Sequence, residues 1–187
     1  MNRRLTAAVA ATAALGIAAG GVAAAGAAAP KKNEIAMVGG VSVKPGQFVK
    51  DDQRFAPQNA VVKSGATVTL RNRTTTQDPH TISFVEKRFL PKQFETDARG
   101  PLLAAHQVDP NNLEAPPGAL VVDDGAPLAD GATLEVDTLG DDKKAGDSAF
   151  IAPGQKTFKF KVTAKKGAKL FYYCDVHPWM QGRITVK

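Results

Sequence analysis

The sequence predicts an all-β protein, an antiparallel β-sandwich that carries a loop-rich insertion. Its apolar content falls in short runs that alternate with polar residues, and 17 Gly and 12 Pro divide the chain into short segments. Turn signals such as KPGQ, KSGA, APGQ and KKGA separate these runs. Short alternating strands at such intervals are typical of sandwiches rather than of helical or βαβ folds. With 187 residues, 43% of them apolar, the chain is long enough for one globular domain with additions.

The first 29 residues are predicted to be an export signal. Arg3 and Arg4 precede the uncharged run LTAAVAATAALGIAAGGVAAAGAAA, which offers A-x-A cleavage sites after Ala27 or Ala29. The run is long enough to span a bilayer, but its Ala and Gly make it only weakly hydrophobic, so cleavage is favoured over a retained membrane anchor. A twin-arginine signal is an alternative, although NRRLTA matches that pattern poorly. We expect residues 30–187 to form a single exported domain, periplasmic, extracellular or associated with the cell envelope.

Strands with one polar face are predicted in the body of the chain. TVTLR places Val68 and Leu70 on one face, and KTFKFKVT places Phe158, Phe160 and Val162 on one face, in each case opposite Thr, Lys or Arg side chains. KLFYYC and GRITVK are two further strand-like runs near the C-terminus. The connection between these last two runs contains the residues with the most specific chemistry.

Residues 86–148 are predicted to be an insertion between core strands. Glu86 to Asp147 contains 13 acidic and 6 basic residues, a net charge of −7, whereas the rest of the chain from residue 30 has 16 basic and 5 acidic residues, a net charge of +11. Its loop-rich sequence has short strand candidates at ALVV and TLEV. We expect this acidic segment to fold back on the basic sandwich, with a partner-docking surface as the alternative. His106 lies within it without matching neighbours, so it is only a weak candidate for a second metal ligand.

Cys174 is the only cysteine in the chain. A protein outside the cytoplasm normally pairs its cysteines, because a lone accessible thiol is open to oxidation. Cys174 is therefore expected either to be buried and inert or to bind a metal. Its neighbours favour the metal, since Cys174, His177 and Met180 follow one another in a C-x2-H-x2-M pattern.

The spacing requires the chain to turn directly after Cys174, because residues i and i+3 of an extended strand point to opposite faces. Pro178 suits such a turn, and Gly182 suits the return into the closing strand. Two His and one Cys with a weak axial Met form the ligand set of a blue-copper electron-transfer site. A second His is required, and His80 is a better candidate than His106, since His80 stands where a polar loop meets an alternating strand.

The motifs resemble those of the cupredoxins, the small blue copper proteins, of the plastocyanin and amicyanin group. RFAPQNAVVKSGATVTLRNRT, DPHTISF and GQKTFKFKVTAKKGAKLFYYC carry the resemblance, and the short C-x2-H-x2-M spacing is most similar to that of amicyanin. The resemblance covers residues 35–85 and 149–187, and it implies a Greek-key sandwich that holds one type 1 copper ion. His80, Cys174 and His177 would be the equatorial ligands and Met180 the axial one. Thr81 departs from the pattern, because many relatives have Asn there, which helps to tie the two ligand loops together.

The resemblance implies a one-electron carrier that is not an enzyme. A redox partner would dock at a small apolar patch, formed by Pro79, Pro178 and Trp179, beside a partly exposed His177. The protein is expected to be a monomer. Copper scavenging, delivery or tolerance is the alternative, since it needs the same soft ligands. A Cys-His hydrolase is disfavoured because Met180 would have no role, and nucleic-acid binding is disfavoured by the export signal and by the lack of basic residues interleaved with aromatics.

Overall fold

Two β-sheets pack face to face in the computed structural model, which describes residues 31–92, 97–109, 111–112, 116–129 and 131–187. The predicted export signal lies outside the described residues. The strands are β1 (Glu34–Val38), β2 (Val41–Lys44), β3 (Phe48–Asp51), β4 (Arg54–Ala56), β5 (Asn59–Val62), β6 (Thr67–Asn72), β7 (His80–Val85), β8 (Val121–Asp123), β9 (Ala126–Pro127), β10 (Glu135–Val136), β11 (Ser148–Ile151), β12 (Thr157–Val162), β13 (Lys169–Tyr173) and β14 (Gln181–Val186). A 3₁₀ turn (Lys87–Phe89) and one helix, α1 (Arg99–Ala105), follow β7.

The first sheet has the strand order β10-β12-β6-β1-β4, and the second has the order β5-β14-β13-β7-β11-β8-β9. The strands β2 and β3 form a separate hairpin. The chain crosses between the sheets repeatedly from β4 to β7 and again from β11 to β13, as in a Greek-key sandwich. Most neighbouring strands are antiparallel, as predicted, whereas β1–β6, β14–β5 and β10–β12 are parallel. Each parallel pair joins strands that are distant in sequence, which leaves room for the crossover that parallel pairing needs.

The core lies between the two sheets, where the alternating patterns predicted it. Val68 and Leu70 of β6 and Phe160 and Val162 of β12 are buried, while Phe158 is partly buried at the edge of the core. Phe84 packs edge-on against the Phe160 ring at 5.7 Å between centroids, which fixes β7 over β12. All six residues of β7 are buried, so this strand is covered on both faces.

The described part of the predicted insertion packs against the outer face of β7 and contributes strands to both sheets. Its strand candidates are confirmed, since β8 pairs with β11 in the second sheet and β10 pairs with β12 in the first. Helix α1 places Leu102 in a second apolar cluster with Val85 and Tyr173. Apolar packing and backbone pairing therefore attach the acidic segment, and among the described residues the ion pairs Lys161–Glu135 and Arg99–Asp175 also cross its boundary.

Gly182 has a role that the sequence did not indicate. It lies within β14 directly opposite Tyr172 of β13. A Cβ atom at this position would lie 2.4 Å from the Tyr172 ring, so the absence of a side chain gives the ring its space. Gly182 thus serves packing across the sheet rather than backbone freedom in a turn.

Among the described residues, no helix has the length and apolar character needed to cross a membrane.

Candidate metal centre

His80 and Cys174 meet because they lie at the same edge of two neighbouring strands. His80 is the first residue of β7, and Cys174 directly follows the last residue of β13. These strands are antiparallel neighbours, with Tyr173 opposite Ser83, so the start of one lies beside the end of the other. Two ligand candidates 94 residues apart in sequence are thereby brought into contact.

The segment from Cys174 to Met180 forms the tight loop that the spacing required. The Met180 amide donates to the His177 carbonyl oxygen at 2.8 Å, across a turn that contains Pro178. The Cys174 amide donates to the Met180 carbonyl oxygen at 3.0 Å and closes the loop. These two bonds turn the His177 side chain back toward Cys174.

Three of the four predicted donors converge on a common point. Cys174 Sγ lies 3.9 Å from His80 Nδ1 and 3.6 Å from His177 Nδ1, and the ligand atoms of the three residues all lie within 4.8 Å of one another. Metal bonds of about 2.0–2.3 Å to N and S in a trigonal plane would separate the donors by about 3.5–4.0 Å. The spacing of the sulfur from the two nitrogens therefore fits one metal ion between them.

Burial sets the protonation of the three donors. Burial lowers the pKa of His80 to about 4, with a further contribution from the nearby His177 ring, and burial also lowers the pKa of His177. Burial raises the pKa of Cys174 to about 11, against the opposing effect of the Thr81 N–H, which donates to Sγ at 3.3 Å. At neutral pH without metal, the site holds two neutral imidazoles and a thiol.

One proton is therefore expected to be released for each copper ion bound at pH 7, because the imidazoles are already neutral and only Cys174 must lose its proton. The signs agree, since a lowered His pKa keeps both imidazoles in the neutral form, with one N–H each, above about pH 6.5, and a raised Cys pKa keeps the thiol protonated up to about pH 11. Titration with Cu(II) in weakly buffered solution measures the release. The Cys174→Ser variant is the control, from which no proton should come, and wild-type release near zero would contradict the assignment.

The remaining ring nitrogens face other side chains, as is usual for metal-binding histidines. His80 Nε2 lies 3.5 Å from Thr74 Oγ1. His177 Nε2 lies 3.3 Å from the Gln53 side-chain amide and 3.9 Å from Asp78 Oδ2. Gln53 is 1% exposed, and sequence reasoning missed it because nothing in its local pattern distinguishes a buried Gln from a surface one.

Thr81 ties the two ligand loops together despite its departure from the family pattern. Its Oγ1 accepts a hydrogen bond from the Asp175 amide at 2.7 Å, while its own amide donates to Cys174 Sγ. Thr81 thus makes the connection between the loops that the resemblance had led us to expect of an Asn.

Met180 is fully buried in the core cluster that includes Cys174. Its backbone closes the loop by bonds to Cys174 and His177. The sequence predicts that the Met180 thioether is the axial donor, and that role stays a prediction.

Exposed apolar side chains lie near the site, and they are only partly those of the predicted patch, since Pro79 is half-buried. Trp179 is 43% exposed and packs edge-on against His177, with ring centroids 5.4 Å apart. Val176 is also exposed, whereas Pro178 is buried within the turn and His177 is only 6% exposed. Pro178 therefore shapes the loop, and the exposed apolar surface belongs mainly to Trp179 and Val176.

His106 lies apart from the three donors and is fully occupied by other partners. Its Nδ1 is 2.6 Å from the Ala119 carbonyl oxygen and its Nε2 is 2.9 Å from Ser148 Oγ. Both ring nitrogens are therefore used in hydrogen bonds, which disfavours a role as a second metal ligand.

Comparison with solved structures finds proteins of the kind that the motifs indicated. A purple cupredoxin from Nitrosopumilus maritimus is 16% identical, with 82% of this chain and 98% of that chain covered and a TM-score of 0.40. Plastocyanin from Dryopteris crassirhizoma is 16% identical, with 82% and 99% covered and a TM-score of 0.38. Auracyanin A, a blue copper protein from Chloroflexus aurantiacus, is 18% identical, with 81% and 99% covered and a TM-score of 0.39. At this level of similarity the ligand set rests on the geometry of the site itself.

No family model and no curated protein matches the sequence.

Proposed function

We propose that the protein is a blue copper protein that carries single electrons between redox partners outside the cytoplasmic membrane. The observation that supports this most strongly is the buried set of one thiol and two imidazoles, with both Nδ1 atoms directed at Cys174 Sγ. Such a donor set suits copper, and Met180 would supply the weak axial donor. When bound, copper would provide a one-electron couple between Cu(II) and Cu(I).

The residues around the donors suit electron transfer rather than catalysis. His80 and Cys174 are fully buried, and they lie at the start of β7 and directly after β13, two strands in the centre of a sheet. A rigid and dry set of ligands limits rearrangement between oxidation states, and four protein ligands leave no ready position for a substrate. The site is therefore better suited to passing electrons than to activating water or oxygen.

We propose that a redox partner docks on the side of the site where His177 lies. His177 is the only member of the buried His-Cys-His set with any exposed surface among the described residues, and Trp179 and Val176 provide exposed apolar surface beside it. Exposed apolar surface next to a functional group is typical of a docking site. We propose a transient partner that covers this surface.

The carrier function is tested by two rates measured on the same copper-loaded protein. NMR line broadening in mixtures of the oxidised and reduced protein gives the electron self-exchange rate, and competition with a chelator gives the rate of copper loss. A carrier exchanges electrons rapidly and keeps its copper through many exchanges. Slow electron exchange with rapid loss of copper to the chelator would instead identify a copper-delivery protein.

Replacing Met180 with leucine is expected to keep copper bound and raise the reduction potential. The change removes a weak donor that favours Cu(II), whereas the three strong donors remain. Redox titration of the variant measures the shift. Leu170→Met is the matched control, because it alters another buried residue of the same core cluster and should leave the potential unchanged. Loss of copper binding in Met180→Leu would contradict the axial assignment.

A further inference from the structure

A chain of buried hydroxyl groups connects His106, in the insertion, to the ligand loops. His106 Nε2 lies 2.9 Å from Ser148 Oγ, which lies 2.9 Å from Ser83 Oγ. Ser83 donates to Thr81 Oγ1 at 3.0 Å, and Thr81 Oγ1 accepts from the Asp175 amide at 2.7 Å. The chain of hydrogen bonds thus ends at Asp175, the residue that follows Cys174.

The fold builds this chain on the outer face of the second sheet. Ser148 of β11 and Ser83 of β7 are direct cross-strand partners, so their hydroxyls lie on the same face. Both are completely buried, and His106, which directly follows helix α1, lies against Ser148 on this face. Buried hydroxyls need partners, and the covering insertion supplies one through His106.

The hydrogen positions follow from the partners at the two ends. The Ala119 carbonyl can only accept, so His106 Nδ1 must carry the hydrogen of the 2.6 Å contact. In a neutral imidazole Nε2 then accepts, and the Ser148 hydroxyl must donate to it. His106 therefore determines where the Ser148 hydrogen points and how the single Ser83 hydrogen is shared between its two oxygen neighbours.

Thr81 connects the chain of hydroxyl groups to the candidate metal site. Its hydroxyl holds the Asp175 amide, and its own amide donates to Cys174 Sγ at 3.3 Å. A change in how Ser83 holds the Thr81 hydroxyl is therefore transmitted to the bond on the sulfur and to the loop that carries His177.

We propose that His106 is a positioning residue for the Cys174 thiolate, which it holds through Ser148, Ser83 and Thr81. The effect on copper rests on the proposed function, whereas the effect on the hydrogen bonds of the loop does not. Hydrogen bonding around the Cys sulfur tunes the potential of such sites, because a donor to the sulfur stabilises its negative charge and favours the reduced metal. Without His106 the Ser148 hydroxyl can donate to Ser83, and the Ser83 hydrogen then goes to Thr81 alone. Thr81 is drawn toward Ser83, so its bonds to the Asp175 amide and to Sγ should weaken and the reduction potential should fall.

The test uses two variants that interrupt the chain from opposite sides. His106→Phe fills the same space without hydrogen bonds, and Ser148→Ala removes the next member while leaving His106 in place. His106→Gln is the rescue variant, because its amide offers an NH₂ donor group for the Ala119 carbonyl and a carbonyl acceptor for the Ser148 hydroxyl. Leu102→Val is the matched control, since it loosens the packing of the insertion but touches none of the hydroxyls.

Two readouts separate this proposal from the proposed function. In the metal-free protein, amide hydrogen exchange at Asp175 should accelerate about tenfold in both interrupting variants, as expected for loss of support worth about one hydrogen bond. In the copper-loaded protein, both variants should show a lower reduction potential and a shifted thiolate-to-copper absorption band. The double variant should show no more change than either single one, because both interrupt one chain.

The control and rescue variants decide the interpretation. Leu102→Val should lower stability without moving the potential, and His106→Gln should restore most of the wild-type values. Unchanged Asp175 exchange and potential in His106→Phe and Ser148→Ala would overturn the proposal, and so would an equal shift in Leu102→Val. If His106→Phe does not fold, Ser148→Ala alone decides. A wild-type protein without a blue band would instead overturn the proposed function, while the exchange measurement would still test the chain.

Discussion

Replacing Cys174 with serine should abolish the intense visible band of the copper-loaded protein. The band requires a thiolate bonded to copper, and a serine hydroxyl cannot supply the same donor. We expect copper affinity to fall more than about 100-fold, since changes in outer partners of metal ligands alone cost about 10–100-fold. Competition titrations with a chromophoric Cu(I) chelator, beside visible spectra after Cu(II) addition, measure both effects.

The metal-free form of the same variant provides the control. Cys174 is fully buried and serine is nearly isosteric, so the free energy of unfolding should change by only about 1–2 kcal/mol, as for a single buried polar group. A stable variant that still gave the wild-type band would show that Cys174 is not the copper ligand.

Asp147→Ala should give the largest loss of stability outside the metal site. The Asp147 carboxylate is buried and accepts hydrogen bonds from the backbone amides of Asp124, Asp137 and Thr138 at 2.7–2.9 Å. Burial raises the pKa of Asp147 to about 6, against the opposing effect of these three N–H groups. Alanine would leave three partly buried donors without their acceptor, at a cost of about 1–3 kcal/mol each before relaxation and water entry.

We therefore expect Asp147→Ala to lower the free energy of unfolding by about 3 kcal/mol or more, measured by urea denaturation of the metal-free protein. Asp142→Ala is the matched control, because Asp142 is exposed in the same loop and should change stability by less than about 0.5 kcal/mol. Equal stability of the two variants would show that the insertion is not held through Asp147.

The strands were predictable because each carries its own pattern. In β6 and β12 the alternation of apolar and polar residues is complete, and burial of Val68 and Phe160 follows from it directly. The short strands β8 and β10 of the insertion were also visible as ALVV and TLEV. Helix α1 was not predicted, since Gly100 and Pro101 in its first turn read locally as loop signals.

The donor set was predictable because chemistry and spacing limited the choices. A single cysteine and three histidines left few combinations, and the structure brings His80 and His177 to Cys174 while His106 bonds elsewhere. The surroundings of the site were not predictable in this way. Gln53, between β3 and β4, reaches His177 only through the fold, and nothing in its local sequence marks it as the neighbour of a ligand candidate.

The most direct test is the visible and EPR spectrum of the purified protein after addition of one equivalent of Cu(II). An intense thiolate-to-copper band with narrow copper hyperfine splitting is the result we predict, because Cys174 Sγ and two imidazole nitrogens lie close enough to share one ion. A colourless protein, or an ordinary Cu(II) spectrum with wide splitting, would contradict the type 1 copper site and with it the proposed electron carrier.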